Sequence, residues 1–324
     1  MTAAPLFSVV MPVYNGAPLL AEALDSLRAQ EPFEGGFEVL AADDGSTDGS
    51  RELLEAASRD LPLRVLDGAR RGNWVASTNK AIREAAGEFV VFLHQDDRFR
   101  PARLRRLAEE IRANPSVGFF VNDTAFVAAD GKPLGPWRPT FHPGFCPPAD
   151  ALPPLMVQDT VAVPGVAFRR ASPAVGDGLD EAFRYTADWE FWLRLAARGG
   201  LFRIAETLSE FRVHRGSQTV AIAGRQDEMR RNLEDVLERY LPALEEVLPP
   251  RLRPRYRRLA RLGVETDLFL GAGGARAPLP WRPFLRALLR CTPADWVRYV
   301  RLSAVVPRTA ARVRAGFLRR PAKP

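Results

Sequence analysis

Along the first hundred residues, apolar and polar positions fall in blocks that switch between strand and helix periods. Phe7-Ser8-Val9-Val10-Met11-Pro12-Val13 is short, apolar and β-branched, and predicts a buried strand. Pro18 stands where a first helical turn begins, and Leu20, Ala23, Leu24 and Leu27 recur on one helical face. Phe37 to Ala42 predicts a second strand, closed by Asp43-Asp44-Gly45-Ser46-Thr47-Asp48-Gly49, and Leu53, Leu54 and Ala57 follow at helical spacing. Leu63 to Leu66 is a weaker strand, Trp74 to Ala86 a helix stopped by Gly87, and Phe89 to Leu93 the most strand-like run of all. Pro101 opens another amphipathic helix. Such alternation predicts an α/β fold, a mostly parallel sheet with helices on both faces. Ligands of these sheets sit at the carboxyl ends of the strands. The polar clusters Tyr14-Asn15, Asp43-Asp44 and His94 to Asp97 fall there.

After Phe119 the pattern changes to short strands, with a hairpin signal at Asp130-Gly131. Pro133 to Pro154 holds eight prolines in 22 residues and predicts an irregular loop, a lid or substrate wall. Asp188 to Ala197 returns to helix, with Trp189, Trp192, Leu193 and Ala196 on an apolar stripe, and Gln226 to Val247 is a long amphipathic helix. Beyond Pro249-Pro250 the chain reads as helical in pieces, broken over Gly271 to Pro283. The expected division is an α/β domain over residues 1–222 and a helical extension over 223–324.

Charge sharpens that division. Residues 251–324 carry 17 Arg and one Lys against Glu265, Asp267 and Asp295, a net +15 that leaves −8 on residues 1–250. This separation points the tail at an anionic surface, lipid or nucleic acid. Trp281, Phe284, Leu285, Leu288, Trp296, Tyr299 and Phe317 interleave with its arginines, as an interfacial helix requires and a base-stacking platform does not. Nucleic-acid binding would also leave the acidic clusters without a role, so no nucleic-acid partner is expected. No run of 18 uninterrupted apolar residues predicts a membrane span. Cys146 and Cys291 are the only cysteines, which excludes a disulfide framework, and Met1 to Pro5 lacks the basic flank of a secretory signal. The expected location is cytoplasmic, peripheral at the inner face of the cell membrane.

The clusters carry the chemistry. A carboxylate leaving a buried strand is costly unless solvated or paired with a cation. In His94-x-Asp96-Asp97, Asp with neighbouring His and Asp suits Mg²⁺ or Mn²⁺, with phosphate oxygens and water completing the shell. The competing explanation is a helix-start region before Pro101. Turn formation and capping account for Ser46 to Asp48, but not for two adjacent carboxylates at a strand end. One of Asp43 and Asp44 can accept hydrogen bonds from a base N–H or a ribose hydroxyl. Asp188, at a helix start, reads either as a cap or as a general base, and His214 ends a strand. Neither G-x-x-x-x-G-K-[ST] nor G-x-G-x-x-G is present, which counts against a nucleoside triphosphatase and a dinucleotide oxidoreductase. A diphosphate would then be held by metal and basic side chains, with Arg70 and Arg71 the nearest candidates.

The order of these clusters resembles the inverting nucleotide-sugar glycosyltransferases of family 2, with the GT-A fold. The segments that carry the resemblance are Ser8 to Asn15, Asp43-Asp44-Gly45-Ser46-Thr47-Asp48, Gly72-Asn73 to Asn79, Phe92 to Asp97 with Pro101, Asp188 to Leu195, and Arg212-Val213-His214. They span roughly residues 6 to 217, and the tail lies outside them. The resemblance implies that Pro12, Tyr14, Asp43 and Asp44 line the pocket for the donor's base and ribose, with Arg71, Asn79 and Gln95 nearby. It implies Asp96 as the second acid of the metal motif, with His94 where the first acid usually stands, and His214 approaching the metal or diphosphate. Asp188 matches the catalytic base, although Ala187 replaces the usual preceding acid. The implied reaction moves a sugar from a nucleotide-diphosphate sugar to a hydroxyl of a glycan or lipid-linked acceptor, with inversion and with Mg²⁺ or Mn²⁺, in cell-envelope polysaccharide synthesis. Pro133 to Pro154 and Val163-Pro164-Gly165 would border the acceptor. Two other readings compete. A sugar nucleotidyltransferase needs a Gly-rich, Arg/Lys-containing triphosphate loop that Pro12 to Ala17 lacks, and a catalytically silent glycan- or nucleotide-binding relative is suggested by His94 and Ala187.

Overall fold

In the computed structural model, which describes residues 4–66, 70–217, 225–275 and 277–316, β1 (Phe7–Val13) is buried along its whole length. It lies between two parallel neighbours, β2 (Phe37–Asp43) and β4 (Phe89–Phe92), and β3 (Leu63–Leu66) flanks β2. Parallel pairing needs long crossovers, which α1 (Ala17–Arg28), α2 (Ser50–Ala57) and α3 (Trp74–Glu84) supply. Side chains of a strand point alternately to its two faces. Phe7, Val9, Met11 and Val13 therefore join one hydrophobic cluster with Leu20 and Leu24, while Val10 enters a second one with Val75 and Ile82. Leu104 and Leu107 of α4 (Arg103–Ala113) complete the first cluster.

Past β4 the sheet becomes mixed. Its order is β3-β2-β1-β4-β9-β6-β10-β5, where β5 is Arg98–Phe99, β6 Phe119–Ala128, β9 Val166–Arg169 and β10 Leu201–Val213. β7 (Pro133–Trp137) pairs with β6, and β8 (Gly144–Cys146) with β10. The antiparallel pairings are short, whereas the long β6–β10 pairing is parallel, so most paired positions are parallel as predicted. Strand order reverses at β1. The crevice above the ends of β1, β2 and β4 is where such sheets bind ligands.

One expectation is overturned and another is narrowed. The Pro133 to Pro154 segment is largely regular, not an irregular loop. Pro133 and Pro136 lie on β7, which pairs on one side only, where a missing N–H is tolerated. Pro148 opens α5 (Pro148–Val157), which continues through Pro153 and Pro154 because every residue from Ala151 to Val157 is buried. Burial of that whole segment outweighs the backbone bonds its prolines forgo. The break expected over Gly271 to Pro283 is present but shorter: α8 (Arg253–Ala275) runs through Gly271, and the chain is non-helical over 277–280.

The extension is helical as expected, comprising α7 (Gln226–Val247), α8, α9 (Trp281–Leu289), α10 (Pro293–Leu302) and α11 (Val305–Arg314). It is also part of the core. Met229, Leu233 and Leu237 of α7 and Leu259 and Leu268 of α8 share one hydrophobic cluster with α5, α6 (Ala187–Gly199) and the sheet. Gly263 of α8 approaches the Val157 carbonyl so closely that a Cβ would overlap the oxygen, so the end of α5 rests directly on α8. The expected boundary at 222–223 and Phe317 lie outside the described residues.

Candidate functional site

Three turns build the crevice floor. Gln95, just past β4, clasps the end of β1: its Oε1 accepts the Tyr14 amide at 2.8 Å and its Nε2 donates to the Tyr14 carbonyl at 3.1 Å. That clasp leaves no room for a side chain at position 16, where Gly16 sits against the Gln95 amide. Asn15, with φ 48°, caps the turn after β2: its Oδ1 accepts the Thr47 amide, and its own amide donates to Ser46 Oγ. The two adjacent carboxylates then divide their work. Asp43 accepts the amide and hydroxyl of Ser46 and serves the turn, whereas Asp44 accepts the amides of Arg71 and Gly72 at 2.6 and 2.8 Å. Asp44 thereby draws the 70–72 segment over the crevice, where the Arg70 guanidinium covers the Tyr14 ring at 4.5 Å.

At the end of β4, one ligand atom from each of His94, Asp96 and Asp97 lies within 4.8 Å of the others. His214, just past β10, reaches Asp96 Oδ2 with its Nε2 at 2.8 Å. The two strand ends are locked together by Arg212, whose buried guanidinium donates to the Asp96 and Ala129 carbonyls and to Glu22. Its amide donates to Asp97 Oδ1, while Asp97 Oδ2 and His94 Nε2 are buried with no hydrogen-bond partner. Burial pushes Asp97 well above the usual carboxylate range, helped by the neighbouring charge of Asp96, and it holds the His94 imidazole neutral. Burial opposes ionisation of Asp96 too, but the His214 hydrogen bond and the two histidines bring it below its ordinary value. The Asp96 carboxylate, the His94 and His214 imidazoles and the orphaned Asp97 oxygen form a set that fits a hard or borderline divalent cation.

The facing wall comes from elements distant in sequence. Asp188 lies in the first turn of α6, and its Oδ1 accepts the following Trp189 amide at 2.9 Å. Thr186 precedes the helix without capping it by side chain, so Asp188 is no ordinary cap either. Enclosure raises the Asp188 carboxyl to about 6, against its backbone hydrogen bonds and the charge of Arg308. Behind it, Asp159 is pushed well above the carboxylate range by burial and by Asp188 itself. One cavity of about 500 Å³ joins both walls. Its lining includes Pro12, Tyr14, Asp44, Arg70 and Gln95 on the floor, His94, Asp96 and His214 beside them, and Asp188 opposite.

The sequence of residues 8–145 matches the family model described as glycosyl transferase family 2. That region is similar to glycosyl transferase family 2. The O-antigen biosynthesis protein RfbC of Myxococcus xanthus is 29% identical over 225 residues, 68% of this chain and 16% of RfbC. The chain spans about a third or less of the length of the first curated relatives it matches. Among solved structures, S. aureus TarS 1-349 in complex with UDP-GlcNAc superposes with a TM-score of 0.61 at 19% identity, covering 96% of this chain and 92% of that one. The mannosyltransferase PcManGT from Pyrobaculum calidifontis, in complex with GDP-Man and Mn²⁺, gives 0.56 at 20% identity over 98% and 89%. These likenesses show the fold, which is GT-A.

Not every residue expected at the site reaches the cavity. Asp43 is spent on its turn and Arg71 contributes its amide to Asp44, so neither lines it. Asn79 is turned away altogether: its amide pairs with the backbone of Leu179, in the wall of a separate cleft. Conversely, Asp159, Tyr185, Asp267, Arg308 and Arg312 line the cavity without having been expected there. Only Arg308 and Arg312 left a trace in the sequence, as a pair spaced one helical turn apart within the basic tail.

Proposed function

We propose that the protein transfers a sugar from a nucleoside-diphosphate sugar to a hydroxyl of a glycan or lipid-linked acceptor, with inversion. The observation that carries this is one cavity with a metal-competent cluster on one wall and a carboxylate of raised pKa on the other. On the floor, Pro12, Tyr14, Asp44 and Arg70 hold base and ribose, with Asp43 and Arg71 supporting them through the turn and the 70–72 segment. Gln95 fixes the floor's geometry, and Asn79 acts only at a distance by anchoring the loop at Leu179. Asp96, with His94 and His214, would hold Mg²⁺ or Mn²⁺, which when bound neutralises charge developing on a diphosphate. Asp188 takes the proton of the acceptor hydroxyl from the opposite side of the anomeric carbon, so one displacement inverts that centre. The complexes of TarS with UDP-GlcNAc and of PcManGT with GDP-Man and Mn²⁺ support a nucleotide-sugar donor, and RfbC's name supports a surface polysaccharide as the product.

The test is calorimetric titration of the full chain with UDP, GDP, dTDP and CDP, each with and without Mn²⁺. One nucleotide is expected to bind, and to bind more tightly with the metal. Binding by none of them would move the reading to a silent relative.

A second reading concerns the outer face of the extension. Trp281, Leu285 and Leu289 of α9 and Trp296, Val297 and Val300 of α10 are exposed, with Arg282, Arg286, Arg290, Arg298 and Arg301 exposed among them. No helix among the described residues is long and apolar enough to cross a membrane. An apolar stripe flanked by arginines suits an anionic membrane surface on the cytoplasmic side, each basic residue adding about 1 kcal/mol. The chain is expected to co-sediment with phosphatidylglycerol-containing vesicles, and Leu285→Ser/Leu289→Ser/Val297→Ser to lose that binding. Equal sedimentation of the two would reject the contact. These positions are exposed, so the substitutions spare the core, whereas deleting the extension would remove part of it.

A further inference from the structure

We infer that Arg308 and Arg312 of α11 form an anion subsite on the acceptor side of the cavity, and that the acceptor carries a phosphate or carboxylate near the hydroxyl it presents. The inference rests on the transfer reading for the identity of the ligand, but the subsite is argued from the residues themselves.

Arg308 and Arg312 lie one helical turn apart and both line the cavity. Their surroundings differ. Arg308 Nη1 donates to Asp267 Oδ1 at 2.8 Å, and the same oxygen accepts Gln158 Nε2 at 2.8 Å. One oxygen of Asp267 is therefore committed to Arg308 and to fixing the end of α5, and the charge of Asp267 reaches Arg312 without a hydrogen bond. Arg312 has no ion pair among the described residues, and its Nη1 is buried with no hydrogen-bond partner. Asp159, a second carboxyl in this wall, is pushed well above the usual carboxylate range by burial and by Asp188, which weakens it as a countercharge. A buried guanidinium without a hydrogen-bonded anion is costly, and burial and the charge of Arg308 lower Arg312 to about 10 although Asp267 opposes them. A bound anion would supply the missing partner through charge-assisted hydrogen bonds.

Position decides which substrate carries that anion. Arg308 stands close enough to Asp188 for its charge to oppose the rise in that carboxyl, and Tyr185 faces both arginines and Asp188. In a single inverting displacement, the hydroxyl approaches from the base's side and the diphosphate leaves from the other. Cations beside Asp188 thus meet the acceptor, while the donor's phosphates face Asp96 and His214. The extension accordingly forms part of the substrate site as well as the core.

Glycerol 1-phosphate and glucuronate serve as phosphate and carboxylate probes, with glycerol and glucose as neutral controls. Each is titrated into the native full chain, Arg312→Gln and Arg312→Lys, alongside the preferred nucleotide with Mn²⁺. One anionic probe is expected to bind the native chain and to lose at least tenfold in affinity in Arg312→Gln, with Arg312→Lys between them and nucleotide binding unchanged. Which probe binds identifies the anion. Failure of both probes on the native chain, or equal binding to Arg312→Gln, would overturn the subsite. Nucleotide failure with probe binding intact would instead overturn the transfer reading and leave the subsite standing. Melting at or above the native temperature for Arg312→Gln, which loses a buried charge whose Nη1 has no hydrogen-bond partner, excludes misfolding as the cause.

Discussion

Asp188→Asn is expected to bind nucleotide as the native chain does and to turn over about 10²–10⁴-fold more slowly. The Asp188 carboxylate spends Oδ1 on the Trp189 amide, and its other oxygen accepts from no other side chain among the described residues. Asn can keep the first contact through its carbonyl but cannot take a proton with the second. The pH dependence separates this role from a structural one. Burial raises Asp188 to about 6, so the base form, and with it turnover, should rise with pH through about 6 and level off above. That limb should be missing in the variant. Stability runs the other way. A carboxyl raised on folding favours the neutral form, so its stabilising contribution is present below about pH 4, the unfolded value, and is lost as pH rises through about 6. Asn never pays that cost and should melt no lower than the native chain at pH 7. Unchanged turnover would remove Asp188 from the mechanism.

Strand runs such as Phe7–Val13 and Phe89–Phe92 were legible because burial on both faces leaves an uninterrupted apolar signature, and the polar residues that follow such runs mark the crevice. The finer division of labour was not. Asp43 and Asp44 are identical in local pattern, and only the distant 71–72 backbone makes one a clasp while Ser46 makes the other a turn. Asn79 lies on the predicted helix, but its partner Leu179 is 100 residues away. The prolines of α5 read as a loop because local propensity cannot register that the whole segment is packed between α6 and α8. Likewise, Arg308 and Arg312 read as surface charge, since nothing near them in sequence shows that α11 returns to the cavity.

Asp96→Asn is expected to remove the Mn²⁺ dependence of nucleotide binding and to lower turnover by at least about 10²-fold. Asp96 is the one member of its cluster held ionised: His94 is kept neutral by burial, and Asp97 is pushed up by burial and by Asp96 itself. Replacing it withdraws the charge that makes the donor set attractive to a divalent cation, while an Asn carbonyl still accepts from His214 and preserves the bridge between the ends of β4 and β10. The backbone of that bridge is held independently by Arg212, whose bonds to the Asp96 and Ala129 carbonyls and to Glu22 do not involve the Asp96 side chain. Loss of metal dependence with a native melting temperature would therefore report on the cluster and not on the fold. Affinity for the nucleotide alone should persist, because Tyr14, Asp44 and Arg70, which we propose hold base and ribose, stand on a different set of turns. If Mn²⁺ still tightened binding in the variant, the cation would have to sit away from Asp96. The His94–Asp96–His214 arrangement would then be a structural clasp, and the departing diphosphate would depend on the cavity's arginines alone.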